Sequence, residues 1–204
     1  MVRRLSYVYD PMCSWCWAFN AVWQEILDGL PADIEVRYLL GGLAPDSDQP
    51  MPAQMQQSIK AYWQQIQRQL PATEFNYAFW DECQPRRSTY PACRAVIAAR
   101  QQDPQAEPAM LLAIQQAYYL QAKNPSDEAV LIECAADIGL NTRVFAVSLR
   151  QPQTQQQLLD ELSLVRTLGV SSFPSLLLQQ QTKTELLNYD YRDPEVLLSQ
   201  LREP

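Results

Sequence analysis

Tyr9-Asp10-Pro11-Met12-Cys13-Ser14-Trp15-Cys16-Trp17 holds two cysteines three apart, between a short apolar run and an amphipathic one. Upstream, Leu5-Ser6-Tyr7-Val8-Tyr9 is β-prone and is stopped by Asp10-Pro11, so it reads as a strand. Downstream, Trp17, Val22, Trp23, Ile26 and Leu27 suit one face of a helix from Ser14 to about Asp28, with Gly29 as its stop. The pair therefore belongs at a strand-to-helix junction, with Cys13 at the helix N-terminus. First-turn N–H groups have no partner inside a helix, and the dipole favours negative charge there. A thiolate at Cys13 is the anion such a position stabilises. Cys16 lies one turn further on, within disulfide reach. In this arrangement Cys13 attacks a disulfide and Cys16 resolves the mixed disulfide. The same spacing also occurs among buried core cysteines and as half of a metal site. It is the strand and helix on either side that favour redox chemistry.

The rest of the composition narrows the chemistry. A chain of 204 residues, 47% hydrophobic, can bury one large core with a sizeable insertion. A net charge of -7 with only 16 basic residues and no basic block argues against a nucleic-acid partner. There is no apolar run of transmembrane length, so no membrane partner is expected. Val2-Arg3-Arg4 and the apolar residues after it imitate a signal peptide, but Asp10-Pro11 cuts the run and it flows straight into the motif. A cytoplasmic protein is the expectation. Besides the pair, Cys83, Cys93 and Cys134 show no second close pairing, and a reducing compartment keeps them as thiols. The absence of histidine removes Ser-His-Asp and Cys-His machinery and histidine metal ligands. One close pair with scattered thiols is a weak zinc pattern, so no metal is expected.

Along the chain, Ile34 to Leu40 alternates like a second strand and ends at Gly41-Gly42. A strand–helix–strand unit of this length implies a parallel pair. Ala44 to Pro52, with three prolines, reads as a linker. Met55, Ile59, Tyr62, Ile66 and Leu70 then share a helix face. Phe75 to Trp80 is aromatic and ambiguous. Further helices are expected from Ala92 to Arg100, Glu107 to Ala122, Ala129 to Ile138 after a Ser126-Asp127-Glu128 cap, Asn141 to Leu149, and Gln153 to Leu168. Ser175 to Leu178 and Glu185 to Tyr189 flank a polar turn, Gln179 to Thr184, as an antiparallel hairpin. A last helix runs from Pro194 to Leu201. Three segments follow: 1–46, strand–helix–strand with the cysteine pair; 47–150, an all-helical block; and 151–204, helix, Gly169-Val170-Ser171-Ser172-Phe173-Pro174 loop, hairpin and helix.

This order, with Cys13-Ser14-Trp15-Cys16 early and Ser171-Ser172-Phe173-Pro174 late, resembles the DsbA-like thiol-disulfide oxidoreductases, in particular their cytoplasmic FrnE-like branch of predicted protein-disulfide isomerases. The likeness covers nearly the whole chain. It implies an α/β, thioredoxin-like fold with an all-helical insertion. It implies a catalytic set of Cys13, Cys16 and Pro174, the proline being cis and facing the pair. Ser14, Trp15 and Phe173 become the substrate-binding positions, with Phe173 offering backbone hydrogen bonds to a substrate. Read from the sequence alone, Pro174 also fits a trans proline at a strand start. Asp10 fits two roles: proton acceptor for Cys16, as a buried acid serves in thioredoxin relatives, or a water-exposed turn residue. DsbA itself carries Pro-His between its cysteines, whereas this chain carries Ser14-Trp15. With that histidine charge missing, the couple is expected to be a weaker oxidant than DsbA. Trp17 and Trp23 read as core, and Cys93 as a buried structural thiol rather than an auxiliary one.

The expected activity is thiol-disulfide exchange, as oxidoreductase or disulfide isomerase, on protein or small-molecule thiols and disulfides. No cofactor is implied beyond glutathione as a co-substrate. A competing assignment is a glutathione-dependent transferase or isomerase of the kappa-class or 2-hydroxychromene-2-carboxylate isomerase type. Those enzymes usually have serine at the first cysteine position and lack the second cysteine, so retention of both argues for redox. A third is a non-catalytic peptide-binding module in which the cysteines are incidental. No self-complementary surface can be read from one chain, so the oligomeric state stays open.

Overall fold

Strand β1 (Arg3–Tyr9) lies inside a sheet of order β2-β1-β3-β4. The computed structural model describes residues 3–181 and 183–202. The expected segments' outermost residues, 1–2 and 203–204, and position 182 of the expected hairpin turn lie outside these. Strand β2 (Ile34–Leu40) pairs parallel with β1, from Arg3 opposite Ile34 to Tyr9 opposite Leu40. Strand β3 (Ser175–Gln180) pairs antiparallel with β1, and β4 (Lys183–Leu187) antiparallel with β3. Both strands of the hairpin run further into the polar stretch than its glutamines suggest, because Gln179 and Gln180 pair with Thr184 and Lys183 across the ladder.

The two faces of β1 are covered differently, which is why its residues are apolar in succession rather than in alternation. Leu5, Tyr7 and Tyr9 join the main core with α1 (Ser14–Asp28): Tyr7 packs on Trp23 at 4.7 Å and on Phe19 at 5.9 Å between ring centres. Val8, on the other face, packs with Leu39, Leu177 and Val165 of helix α8 (Pro152–Thr167). Helix α9 (Glu195–Arg202) closes on the α1 side through Leu198, which sits against Gly29.

Between β2 and α8 come α2 (Ala53–Gln69), α3 (Phe79–Glu82), α4 (Tyr90–Gln102), α5 (Glu107–Tyr119), α6 (Glu128–Asp137) and α7 (Thr142–Arg150). The ambiguous aromatic stretch is explained by Trp63 of α2. Phe75 stacks on that indole at 4.8 Å, and Trp80 and Tyr119 pack around it at 5.0 and 5.6 Å. Only Phe79–Glu82 of that stretch is helical. Helix α5 stops at Tyr119 rather than at Ala122, where the backbone takes a positive φ of 53°. Asn141 caps α7 as expected, accepting from the Arg143 and Val144 N–H groups at 3.1 Å each. The Ser126-Asp127-Glu128 signal does not act as a side-chain cap: Asp127 is the N-cap residue, but its carboxylate accepts from Arg86 at 2.6 Å.

A partly buried ionic cluster joins the helices to the sheet. Tyr9 donates its hydroxyl proton to Glu107 at 2.9 Å, and Arg100 bridges Glu107 and Glu161. Glu161 in turn accepts from the Leu40 N–H at 3.0 Å. The C-terminal ends of β1 and β2, where the cysteine motif begins, are thereby fixed against α4, α5 and α8. No helix among the described residues is long and apolar enough to cross a membrane.

Candidate active site

Cys13 is the N-cap residue of α1, with extended backbone angles and no side-chain cap. Its N–H bonds back to the Asp10 carbonyl at 3.0 Å, and its own carbonyl receives the Trp17 N–H at 3.0 Å. The turn Asp10-Pro11-Met12 thus hands the chain from β1 to α1 within three residues. Asp10 holds that turn through its side chain as well. One carboxylate oxygen accepts from the Met12 N–H at 2.8 Å. The other accepts from the Leu43 N–H at 2.7 Å and from the Thr89 hydroxyl at 2.7 Å, with the Cys93 thiol at 3.7 Å. Asp10 is completely buried, so the exposed-turn alternative is excluded. Burial raises its carboxyl above the ordinary value of 3.8, and the hydrogen bonds from Thr89, Leu43 and Met12 work against that rise.

The two cysteines differ in access. Cys13 is 6% exposed but lines a cleft of about 700 Å³, and its thiol donates to the Phe173 carbonyl at 3.4 Å. Cys16 is completely buried and does not line the cleft. Burial first, and then the Cys13 side chain, push the Cys16 thiol far up, while a hydrogen bond from the Asp10 backbone acts in the opposite sense. Asp10 bears on Cys16 through its charge and its backbone; its carboxylate oxygens are engaged elsewhere. Two buried tyrosine hydroxyls flank the pair. Tyr7 and Tyr119 make no hydrogen bond of good geometry among the described residues, though the Tyr7 hydroxyl lies beside Cys16 and that of Tyr119 beside Ser14; burial, followed by neighbouring groups that include Cys13 and Cys16, keeps both protons on.

The Phe173–Pro174 peptide is cis. Its loop meets the motif because β3 follows directly and pairs with β1. Phe173 reaches over Gly41: a β-carbon there would lie 2.1 Å from the phenyl ring. Ser14 accepts a hydrogen bond from the Trp63 indole at 2.9 Å, so its oxygen is tied to α2 even though the residue lines the cleft. Trp15 is half-buried at the rim and packs on Tyr191 at 5.1 Å. Trp23 is core, but Trp17 is only half-buried: its indole N–H reaches the Glu74 carbonyl at 3.0 Å and its ring stacks on Tyr119. Cys93 and Cys134 are buried, and Cys83 is half-buried with its thiol on the Ala122 carbonyl. Among the described residues no group of three or more histidine, cysteine or carboxylate side chains could hold a metal ion.

Cys13 and the loop residues Ser172 and Phe173 therefore line one cleft at the end of a mixed sheet, with Cys16 and Asp10 buried behind it. A family model described as Thioredoxin matches residues 7–192. The chain belongs to the thioredoxin family. Among solved thioredoxin-fold structures it is similar to a candidate protein disulfide isomerase from Nitrosomonas europaea, with 27% identity, 98% of this chain and 96% of that chain covered, and a TM-score of 0.85. It is also similar to the cytosolic disulfide reductase DsbM from Pseudomonas aeruginosa, with 26% identity, 91% and 89% coverage, and a TM-score of 0.73. DsbM has also been solved with glutathione. Among curated proteins it is 24% identical over 170 residues to the ClpXP adapter protein SpxH of Halalkalibacterium halodurans. That match takes in 81% of this chain and 55% of the adapter, so the chain spans about half the length of the curated relatives it matches.

Of the residues the sequence singled out, Cys13 and Phe173 meet across 160 positions, thiol to carbonyl. Other parts of the site had no local signal. Thr89 and Leu43 hold Asp10 from 79 and 33 residues away. Tyr7 reads only as a strand residue. Arg86 and Arg87 line the cleft from a stretch with no motif. The Gly41-Gly42 pair was visible as a strand end, and its real constraint, the Phe173 ring, comes from far along the chain.

Proposed function

We propose that the protein catalyses thiol-disulfide exchange through Cys13 and Cys16. One observation carries this reading: Cys13 opens onto the cleft while Cys16, one turn behind it, is sealed and held as a thiol. The Cys13 thiolate attacks one sulfur of a substrate disulfide. A mixed disulfide forms, and the other substrate sulfur leaves as a thiolate and takes up a proton. Cys16 then loses its proton and attacks the Cys13 sulfur. The Cys13–Cys16 disulfide forms, the second substrate thiolate is released, and two electrons have passed to the substrate. Two glutathione thiols, becoming one glutathione disulfide, return the pair to the reduced state. Asp10 is the proposed acceptor for the Cys16 proton, since its charge bears on that thiol and burial has already raised its own carboxyl. Phe173 and Pro174 form the wall against which the substrate sulfur lies, and Trp15 its rim.

The likeness to a cytosolic disulfide reductase supports a cytoplasmic setting and the reductive direction, with isomerisation open to the same chemistry. The glutathione-bound form of that neighbour supports glutathione as co-substrate. Similarity to adapter proteins favours one second reading, a peptide-binding module in which the cysteines are incidental. Titration of the protein against glutathione redox buffers, followed by tryptophan fluorescence, separates the two. A reversible two-electron transition abolished in Cys13→Ser and Cys16→Ser is expected. No transition, with peptide binding intact in Cys13→Ser, would refute exchange and favour the adapter reading.

A further inference from the structure

The cleft has an uneven charge that the exchange chemistry does not use. Its lining contains two cations, Arg86 and Arg87, and no carboxylate, on a chain whose net charge is -7. The two arginines are not equivalent. Arg86 is committed to the helical block: it donates to the Asp127 carboxylate at 2.6 Å and to the Ser126 carbonyl at 2.7 Å. Arg87 has no ion pair and no hydrogen bond among the described residues. Its charge is felt by Asp10 and by Tyr118, which places the guanidinium beside the motif. It is not the counter-ion of Asp10, because no ion pair joins them and both Asp10 oxygens already accept other donors. Arg87 thus brings a guanidinium with no hydrogen bond or ion pair among the described residues to the lining of a cleft that also contains Cys13. A guanidinium fork matches a carboxylate in a bidentate way.

We propose that Arg87 is a carboxylate-binding subsite, and that the cleft takes small peptide thiols and disulfides with a free carboxylate, of the glutathione type. The proposal deepens the exchange reading by naming the substrate class for the same cleft. The size of the cleft, about 700 Å³, suits a bound small molecule. In the same lining, Met55 and Ile59 supply apolar groups and Gln54 and Ser58 polar groups at one-turn spacing on α2. A tripeptide lying among these groups would bring its sulfur to Cys13 and its carboxylate to Arg87.

The test is a binding cycle that does not depend on turnover. S-methylglutathione, which cannot exchange, and its diethyl ester are titrated calorimetrically into the wild-type protein, Arg87→Gln and Arg87→Lys. The expected result is about tenfold weaker binding of the free acid to R87Q, equivalent to about 1.4 kcal/mol. The ester should change less than about twofold, and R87K should recover part of the loss with the charge. Equal weakening of acid and ester, no weakening of either, or no binding of the free acid to the wild-type protein overturns the subsite. Exchange with glutathione disulfide is measured separately. Charge-selective binding without exchange keeps the subsite and removes the redox reading. Exchange without charge selectivity does the reverse.

Discussion

Gly41→Ala tests whether the Phe173 wall is fixed by the end of β2. Gly41 is not in the left-handed region, so alanine imposes no backbone strain there. The whole effect is steric. The new β-carbon would lie 2.1 Å from Cε1 and Cζ of Phe173 and 2.7 Å from Cε2. Carbon atoms in contact sit about 3.5–4.0 Å apart, so the ring must retreat by roughly 1.5 Å. It cannot do so freely, because it packs on the cluster of Val8, Leu39, Val165 and Leu177. Overpacking of this kind costs about 1–3 kcal/mol. The retreat also drags the carbonyl that accepts from Cys13 and the proline that follows. A displacement of about 1 Å in a positioning group can lower a rate roughly 100-fold. The assays are urea unfolding for stability and stopped-flow tryptophan fluorescence for the reaction with glutathione disulfide. Gly139→Ala is the control, since Gly139 has a φ of +79° with open space around it. That variant should lose about 1–2 kcal/mol of stability from backbone strain and keep its exchange rate. If Gly41→Ala stays within about 0.5 kcal/mol of wild type and within about twofold in exchange, the reasoning about the Phe173 wall is wrong.

Three further outcomes are expected. Burial raises the Asp10 carboxyl above its ordinary 3.8, so the native state keeps that proton longer than the unfolded chain, and the group's contribution to stability falls as pH rises above that ordinary value. Asp10→Asn should therefore lose less stability than wild type between about pH 4 and about pH 7 in urea melts, and should slow resolution of a glutathione mixed disulfide; parallel pH slopes refute the first point, and an unchanged resolution rate the second. Neither Ser14 nor Trp15 brings a charge between the cysteines, so the couple should lie at roughly -180 to -270 mV, and a potential near the roughly -120 mV of DsbA would sink this. Tyr7→Phe removes a fully buried hydroxyl that makes no hydrogen bond of good geometry and has the weakly bonding Cys16 sulfur beside it, so the fold should stay within about 1 kcal/mol of wild type; a larger loss would show that the hydroxyl is satisfied in solution.

What the sequence made legible was what neighbouring residues decide. The stop at Asp10-Pro11, the helical face from Trp17 to Leu27 and the alternation of Ile34 to Leu40 are local patterns, and β1, α1 and β2 follow them. Asp10 was undecided because its burial depends on partners that no window around it contains: Leu43 and Thr89 supply the donors that make a carboxylate tolerable there. The Asp127 cap failed for the same kind of reason. Its carboxylate satisfies the local rule, yet Arg86, 41 residues earlier, binds it first. Trp17 fits the apolar face of α1 by spacing, but an indole N–H needs an acceptor, and the Glu74 carbonyl that supplies it lies at the surface. The cleft itself was not legible. It is made where α2, the residue 86–89 stretch and the proline loop approach one helix start, and each part is unremarkable when read alone.

The inequality of the two cysteines follows from where α1 begins. A helix that starts at the end of a central strand presents its N-cap residue to the space beyond the sheet and its next turn to the core. Spacing of three therefore puts Cys13 in the cleft and Cys16 beside Tyr7, among the residues that fill the space between β1 and α1. Burial is the largest cause, ahead of the Cys13 side chain, that pushes the Cys16 thiol up and keeps its proton on. In the proposed exchange a substrate disulfide meets Cys13, which lines the cleft, and Cys16 attacks the mixed disulfide formed there. On that proposal the order of attack follows from the register of one helix against one strand. In the proposed subsite, Arg87 would add the remaining choice, which sulfur compound enters, from the lining of the same cleft.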